Sequence, residues 1–358
     1  MSESPMRLGT ICRNYCVDVF QQTSTGWNRF WFSPADPAAL GVIRILAGLM
    51  LLYTQLVWMW SSTDFFGPQS WLPSETVRSI EPGSYSWSHL HGLNSPLPLM
   101  LSHLTAITAA LALTLGLWTR PAAILTFLMT VSYNHRVPGA LYGLDQVNTF
   151  LAFYLTIGPS GACYSLDRWF KNRAGMTTPT DRSVGANLAI RLMQVHLCVI
   201  YLFAGLSKLQ GASWWDGSAF WGGVASLEYQ SLDLTWLSGW PLTVNFITHV
   251  TVFWEVSYCV LVWNRFTRPI VLLLAICVHG GIALALGMKT FGVAMIFANL
   301  SFVSPQIIRA LLHRRAQVQI LELLNRSESS SDTPAMSRKL TPPQQITPSL
   351  ADAKRRAS

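Results

Sequence analysis

Residues 188–209 decide the fold class of this chain, and they read LAIRLMQVHLCVIYLFAGLSKL. An α-helix rises about 1.5 Å per residue, so a segment of this length spans the roughly 30 Å of hydrocarbon in a lipid bilayer. The stretch is mostly apolar and carries Lys208 close to its end. It therefore predicts a membrane-spanning helix with a lysine at one boundary.

The composition of the whole chain agrees with a membrane location. Of the 358 residues, 51% are hydrophobic and only 12% are charged, and 15 are tryptophan. Soluble domains carry about 25% charged residues. The net charge of +8 comes mainly from Lys and Arg in the gaps between apolar runs and in the last fifty residues, which favours orientation in a bilayer over nucleic-acid binding. We expect the lipid bilayer as a partner and no nucleic acid.

Seven further apolar segments predict an all-α, polytopic transmembrane helical bundle with about eight spans. The eight segments run approximately over 39–60, 99–118, 121–137, 141–160, 188–209, 241–263, 267–287 and 290–305. They divide the chain into a cytoplasmic N-terminal segment (1–38), a transmembrane domain (39–305) and a basic, largely disordered cytoplasmic tail (306–358). Within the first part, residues 27–32 are rich in aromatic side chains and predict an interfacial foot.

Basic residues predict the orientation of the bundle. With the N-terminus in the cytoplasm, inner loops and the start of the tail hold ten Lys or Arg and outer loops hold three, as the positive-inside rule requires. Both termini are then cytoplasmic, and Lys208 and His135 lie at the outer face. The two long outer segments, about 61–98 and 210–240, are rich in Trp, which is typical of interfacial anchors or of a lid over a site.

Ionisable side chains at the outer ends of apolar segments are candidates for chemistry, because charge is costly in hydrocarbon. Lys208 either extends its ammonium to the interface or is desolvated enough to act as a base. His135 follows Asn134 at the end of the third segment, and His103 and His249 fall near the same depth. Four proton-transfer groups at one depth indicate a clustered site.

Other intramembrane polar residues have open interpretations. Asp145 either stabilises a helix N-terminus or orients His135 or Lys208. His279, followed by two glycines, is either a hydrogen-bonded core histidine or a contact for a polar ligand head. Arg44 and Glu255 are predicted to form a structural ion pair, because neither charge is stable alone in hydrocarbon. The six cysteines form no CxxC pair, so we expect no disulfide and no metal site.

Several stretches resemble one known family. Residues 201–209 (YLFAGLSKL), followed by Trp214 and Gly217, resemble the lysine motif of vitamin K-dependent gamma-carboxylase, a member of the wider HTTM family of membrane proteins. The other similar stretches, in order along about 35–305, are Gly41 to Arg44 with Gly48, Asn134-His135 with 141–143, SLDRW at 165–169, 277–279, Gly287, Phe291-Gly292 and 302–305. The SLDRW stretch is similar to bacterial members, which implies a bacterial inner membrane.

The resemblance implies an activity and a site. Lys208 takes the position of the base that deprotonates reduced vitamin K or menaquinol, with O2 and CO2 as co-substrates, and His135 takes that of the assisting histidine. Substrate contacts are then expected from Asn134, Asp145, His279 and Trp214. Ser207 stands where the carboxylase has a second lysine, and we expect no large luminal domain after the last span. The second departure argues against gamma-carboxylation of a protein and leaves quinol epoxidation or other base chemistry.

Three other functions remain open from the sequence. A small-solute transporter is expected to contain broken helices and an internal repeat, and the sequence shows no repeat. A non-catalytic membrane partner would keep the fold and lack the chemistry. A haem-binding redox protein would use His103 and His249 as ligands.

Overall fold

Helices dominate the structure. The computed structural model describes residues 8–67, 69–80, 86–93, 95–176 and 182–312. No β-strand occurs in these ranges, and an isolated antiparallel bridge joins Ala35 to Ser183. The predicted all-α class is confirmed.

The described residues contain fifteen α-helices. In chain order they are α1 Leu8–Phe32, α2 Ala38–Trp60, α3 Ser62–Phe66, α4 Ser74–Ile80, α5 Pro96–Leu115, α6 Thr119–Arg136, α7 Gly143–Ile157, α8 Leu166–Arg173, α9 Val184–Lys208, α10 Ala212–Trp215, α11 Ala219–Val224, α12 Pro241–Leu261, α13 Arg268–Ala285, α14 Lys289–Asn299 and α15 Pro305–Leu312. The eight predicted segments correspond to α2, α5, α6, α7, α9, α12, α13 and α14, with boundaries that differ by a few residues.

The number of spans is smaller when length and hydropathy are both required. Five helices, α2, α5, α9, α12 and α13, are long and apolar enough to cross a membrane. A sixth candidate is the bent pair Lys289–Phe302 and Pro305–Leu312, whose two parts meet at 113°. The helix α6 has 18 residues but many polar side chains, and α7 has only 15 residues, so both fall outside this set.

The N-terminal part is more regular than the sequence predicted. Residues 8–32 form one helix, α1, of 25 residues, and most of its described side chains are exposed. The predicted foot at its end is held against α9, where the Asn187 side-chain amide donates to the carbonyl oxygens of Phe30 (2.7 Å) and Trp31 (2.8 Å). Of the predicted tail, residues 306–312 belong to α15, and 313–358 lie outside the described residues.

The core lies around α2, which packs against α5, α7, α9 and α14. Gly48 permits the closest of these approaches, since a Cβ at that position would lie 2.9 Å from the Cα of Thr114 on α5. Small residues let helix backbones approach in this way, which increases the dispersion contacts that hold a bundle together in lipid. A second glycine, Gly205, allows a similar close approach between α9 and α12.

One end of the bundle, where α2 begins, is fastened by polar contacts, and we name it the Asp36 end. Arg44 is completely buried and donates to the carbonyl oxygens of Ser160 and Tyr164. Asp36 forms an ion pair with Arg309 (2.7 Å). The predicted pair of Arg44 with Glu255 is wrong, because Arg44 lies at this end whereas Glu255 lies beside the last turns of α9.

Candidate functional site

Lys208 and Glu255 form an ion pair at the opposite end of the bundle, which we name the Lys208 end. The Nζ atom of Lys208 lies 2.8 Å from Oε2 and 3.0 Å from Oε1 of Glu255. The side chain of Lys208 is 24% exposed and that of Glu255 is 9% exposed. A carboxylate buried this far is costly unless it is paired, so the lysine is its compensating charge.

The pair forms because α9 and α12 run antiparallel and come very close. A Cβ on Gly205 would lie 2.7 Å from a methyl group of Val256 and 3.1 Å from the Cβ of Glu255. The glycine therefore lets the two backbones approach where no larger residue fits. Lys208 follows it by about one helical turn, which brings its amine within reach of the carboxylate.

Trp214 lies on α10, in the loop segment that follows α9, and it covers the amine. The Nζ atom of Lys208 lies 5.3 Å from the centroid of the Trp214 ring, within the range of a cation–π contact. The loop is fastened to α12, since the Thr248 hydroxyl donates to the carbonyl oxygen of Gly217 (2.8 Å) and the His249 Nε2 lies 3.2 Å from the carbonyl oxygen of Trp215. This part of the segment 210–240 is thus positioned over the ion pair.

His279 lies in the core next to the same pair. It is 5% exposed, and its Nε2 lies 2.8 Å from the hydroxyl oxygen of Tyr201 on α9. The charge of Lys208 acts on the His279 ring, and that of Glu255 acts on Tyr201, so the residues lie within electrostatic range of one another. The histidine on α13 is therefore part of the environment of the Lys208 amine.

The hydrogen-bond partners of Tyr201 select the tautomer of His279. The side-chain amide of Asn299 donates to the Tyr201 hydroxyl oxygen (2.9 Å), and its carbonyl oxygen accepts from the Tyr258 hydroxyl (2.6 Å). Tyr201 then directs its own hydrogen to the Nε2 of His279, which acts as the acceptor. A neutral ring carries its proton on Nδ1, and this buried atom has no hydrogen-bond partner among the described residues.

These side chains form one polar group within an apolar bundle, and we name it the Lys208 cluster. Its members are Lys208, Glu255, Tyr201, Tyr258, His279 and Asn299. In this cluster, the Lys208 amine and the Glu255 carboxylate share a proton. The neutral imidazole of His279 adds an N–H donor. Such a group is able to accept a proton from a bound molecule and to donate a hydrogen bond to the atom that loses it.

The histidine expected to assist Lys208 lies in a different environment. The Nδ1 of His135 is 3.0 Å from the carbonyl oxygen of Trp87 and 3.1 Å from the backbone nitrogen of Trp87. Asn134 donates to the Thr149 hydroxyl (2.9 Å). The helix α6 packs against α5 and α7, whereas α9 packs mainly against α12. The structure thus pairs Lys208 with Glu255 and places His135 in contact with another part of the chain.

The remaining candidates have structural contacts. The Asp145 carboxylate accepts from the backbone nitrogen of Tyr142 (3.0 Å), so it caps the start of α7. His103 lies 2.8 Å from the Tyr133 hydroxyl oxygen, and His249 contacts the loop before α11. The predicted cluster of four proton-transfer groups therefore separates into contacts on α5 with α6 and contacts on α9 with α12.

Sequence reasoning missed three members of the cluster, namely Tyr201, Tyr258 and Asn299. A polar side chain inside an apolar helix is itself a signal, because it needs a hydrogen-bond partner in the membrane. Tyr201 stands two turns before Lys208 on α9, which places both on similar faces of the helix. The pairing among α9, α12 and α14 depends on tertiary packing and has no pattern in the sequence.

An apolar groove lies elsewhere on the bundle, away from the Lys208 cluster. It lies between α5 and α6, encloses about 440 Å³ and is lined mainly by Leu, Ala and Thr side chains from Leu101 to Leu125. None of its lining residues is ionisable. Proton transfer needs titratable groups, and the lining of this groove does not supply them.

Comparison with known proteins identifies the family. The HTTM domain family matches residues 32–306, which is most of the chain and includes every member of the Lys208 cluster. Searches against curated proteins and against solved structures gave no match. With its apolar helices, the chain is an integral membrane protein, and it belongs to the HTTM domain family.

Proposed function

We propose that this protein binds a lipid quinol, such as reduced vitamin K or menaquinol, at the Lys208 cluster and removes a proton from one of its hydroxyl groups. The observation that carries the proposal is the ion pair of Lys208 with the buried Glu255 carboxylate, beside a buried His279 Nδ1 that has no hydrogen-bond partner among the described residues. Buried ionisable groups inside a membrane bundle are costly, so their presence favours a role in chemistry. A quinol dissolves in the bilayer and presents its ring to such a site.

The proton acceptor in this proposal is the pair rather than the lysine alone. The contact between the two side chains is that of an ammonium with a carboxylate, so together they hold one proton. In the proposed step, the O–H bond of the quinol breaks and its proton passes to the Glu255 carboxylate. The pair then holds two protons and one positive charge, which stabilises the quinolate beside it.

His279 and Trp214 complete the proposed site. The Nδ1–H of His279 donates to the quinol oxygen as negative charge develops there, as an oxyanion-binding donor does. Tyr201 and Asn299 are positioning residues, because they hold the ring in the tautomer that makes Nδ1 a donor. Trp214, which already lies over the amine, offers an aromatic face for stacking with the quinol ring.

The overall reaction that we propose is oxidation of the quinol by O2 to the quinone epoxide. One oxygen atom of O2 enters the ring as the epoxide, and the other leaves as water with the two hydroxyl hydrogens of the quinol. Carboxylation with CO2 would need an additional carbon acid as substrate, and the proposal does not extend to it. The proposal places the protein in a bacterial inner membrane with the Lys208 end outward. His135 contacts Trp87 and has no part in the proposed step.

The test is a quinol assay on the purified full-length protein in nanodiscs. Reduced menaquinone is added without oxygen, O2 is then admitted, and the epoxide is quantified by chromatography and mass spectrometry. We expect epoxide from the wild type and an at least 100-fold lower rate from both Lys208→Ala and Glu255→Gln, which is the usual range for loss of an acid–base group. Lys289→Ala removes an exposed lysine outside the cluster and serves as the matched control.

The variants separate the proposal from the other functions. Epoxide formation that survives Lys208→Ala removes the cluster from the chemistry. A wild-type protein that makes no epoxide but lets solutes cross a liposome membrane would be a transporter, and one with neither activity would be a non-catalytic partner. A rate that falls equally in Lys289→Ala would indicate a general loss of the fold rather than of the site.

A further inference from the structure

Two arginines near the Asp36 end share a region of the bundle without a carboxylate partner. Arg191 lies on α9, about two turns from its start, and Arg268 is the first residue of α13. Both guanidinium groups contact Trp263, which places them in one region of the bundle. The ion pairs among the described residues are Lys208–Glu255 and Asp36–Arg309, and neither includes these two arginines.

The contacts of the two guanidinium groups are to neutral groups. Arg191 donates to the side-chain oxygen of Gln194 (2.9 Å), and its CZ atom lies 4.5 Å from the ring centroid of Phe30 and 5.7 Å from that of Trp263. Arg268 donates to the carbonyl oxygens of Val262 and Trp263, both at 2.9 Å. Aromatic rings and carbonyls orient the charges but do not neutralise them.

Two N–H donors in the same region have no acceptor. The Nε of Arg191 and the Nε1 of Trp31 are both buried, and neither has a hydrogen-bond partner among the described residues. Trp31 contacts Phe30, the ring that lies under Arg191. Buried donors without acceptors cost free energy, so the region favours an added group that carries oxygen acceptors.

From these observations we propose that Arg191 and Arg268 form a binding site for the phosphate of an anionic phospholipid. The site lies near the end of a membrane-spanning helix and is bordered by Trp31 and Trp263, which are typical of the level of lipid headgroups. Guanidinium groups bind phosphate oxygens through paired N–H donors. An anionic lipid would supply the missing negative charge and would fasten the end of α1 to α9 and α13.

The test measures lipid binding to the purified full-length protein by native mass spectrometry. Short-chain phosphatidylglycerol and phosphatidylcholine are titrated separately, and inorganic phosphate is added in a third series. We expect tighter binding of phosphatidylglycerol than of phosphatidylcholine and no displacement by inorganic phosphate. A guanidinium that binds the phosphate directly should contribute about a fivefold change in affinity, so Arg268→Gln should weaken binding about fivefold and Arg191→Gln with Arg268→Gln about 25-fold.

A matched control separates this site from general charge. Arg265 is an exposed arginine in the loop just before Arg268, and its CZ atom lies 4.5 Å from the ring centroid of Phe266. Arg265→Gln should leave the affinity unchanged. Equal binding of both lipids, equal loss in Arg265→Gln, or unchanged binding in the double variant would overturn the proposal. Displacement by inorganic phosphate would instead assign the site to the free ion. Thermal unfolding of each variant verifies that the fold is retained, and Arg268→Gln alone still tests the site if the double variant does not fold.

Discussion

Disruption of the Lys208–Glu255 pair should lower the stability of the bundle, and a double-mutant cycle measures by how much. The cycle compares Lys208→Met, Glu255→Gln and the combined variant with the wild type. These replacements keep most of the side-chain volume and remove one or both charges. The quantity of interest is the coupling free energy, which cancels effects that each replacement has on its own.

The structure sets the size of this coupling. At 2.8 Å and an effective dielectric constant of about 20, two unit charges attract by about 6 kcal/mol. Most of this gain is offset by desolvation of Glu255, which is only 7% exposed, and by the ordering of the partly exposed lysine. We expect a net coupling of about 2 kcal/mol, within the range measured for residues in direct contact.

The assay is unfolding of the purified protein in mixed micelles with increasing sodium dodecyl sulfate, followed by Trp fluorescence. Glu255→Gln alone should be destabilised less than Lys208→Met, because the latter leaves an unpaired carboxylate in the core. The combined variant should recover part of the loss. A coupling below about 0.5 kcal/mol would refute the argument, because residues without contact give values of that size.

Other parts of the fold give three further predictions. The hydrogen bond from Arg309 lowers the pKa of Asp36, so the stability that this carboxylate contributes is present above its unfolded pKa of about 3.9 and is lost as the pH falls through its lower folded pKa. Asp36→Asn should therefore lower the unfolding temperature at neutral pH, and it should have no effect at a pH below the folded pKa of Asp36. A difference between variant and wild type that stays the same at all pH values would contradict this. Burial opposes the shift at Asp167, but backbone hydrogen bonds at the start of α6 lower its pKa, and Asp167→Ala should cost about 1–2 kcal/mol in the same unfolding assay; no loss would exclude this cap. Gly205→Leu should separate α9 from α12 at Val256 and lower the free energy of unfolding by about 1–3 kcal/mol. It should also lower quinol turnover, because it displaces Glu255 from Lys208. Unchanged turnover in a folded variant would contradict the close approach.

The helices were predictable because their apolar segments are long. Hydropathy located α2, α5, α9, α12 and α13 to within a few residues, since crossing a membrane requires nearly continuous apolar sequence. The helix α1 was not predicted beyond its last residues, because 8–26 show no apolar core. Its position comes from side-chain contacts of Asn187 on another helix, which sequence periodicity does not contain.

The partner of Glu255 could not be predicted because the relative height of two helices depends on packing. Counted from the start of its segment, Glu255 falls in the inner half, which is the predicted level of Arg44. In the structure, the first turns of α12 pack against α10 and α11, beyond the end of α9. This offset moves Glu255 to the level of Lys208.

It was partly predictable that Lys208 and His279 have polar partners, since an ionisable side chain in an apolar helix needs one. The tautomer of His279 was not, because it depends on a chain of hydrogen bonds through Tyr201 and Asn299. Asp145 shows the opposite case. Its position at the start of an apolar segment already indicated a helix cap, and the structure contains that cap.

The central claim is that a quinol ring binds beside Lys208 and His279, and photo-crosslinking tests it most directly. A menaquinone analogue with a diazirine on its ring is reduced, bound to the wild-type protein in nanodiscs and irradiated, and the labelled peptides are identified by mass spectrometry. We predict labels on α9, α13 or the loop that holds Trp214, with loss of labelling when excess menaquinol competes. Labels confined to the apolar groove between α5 and α6 would contradict the proposed site.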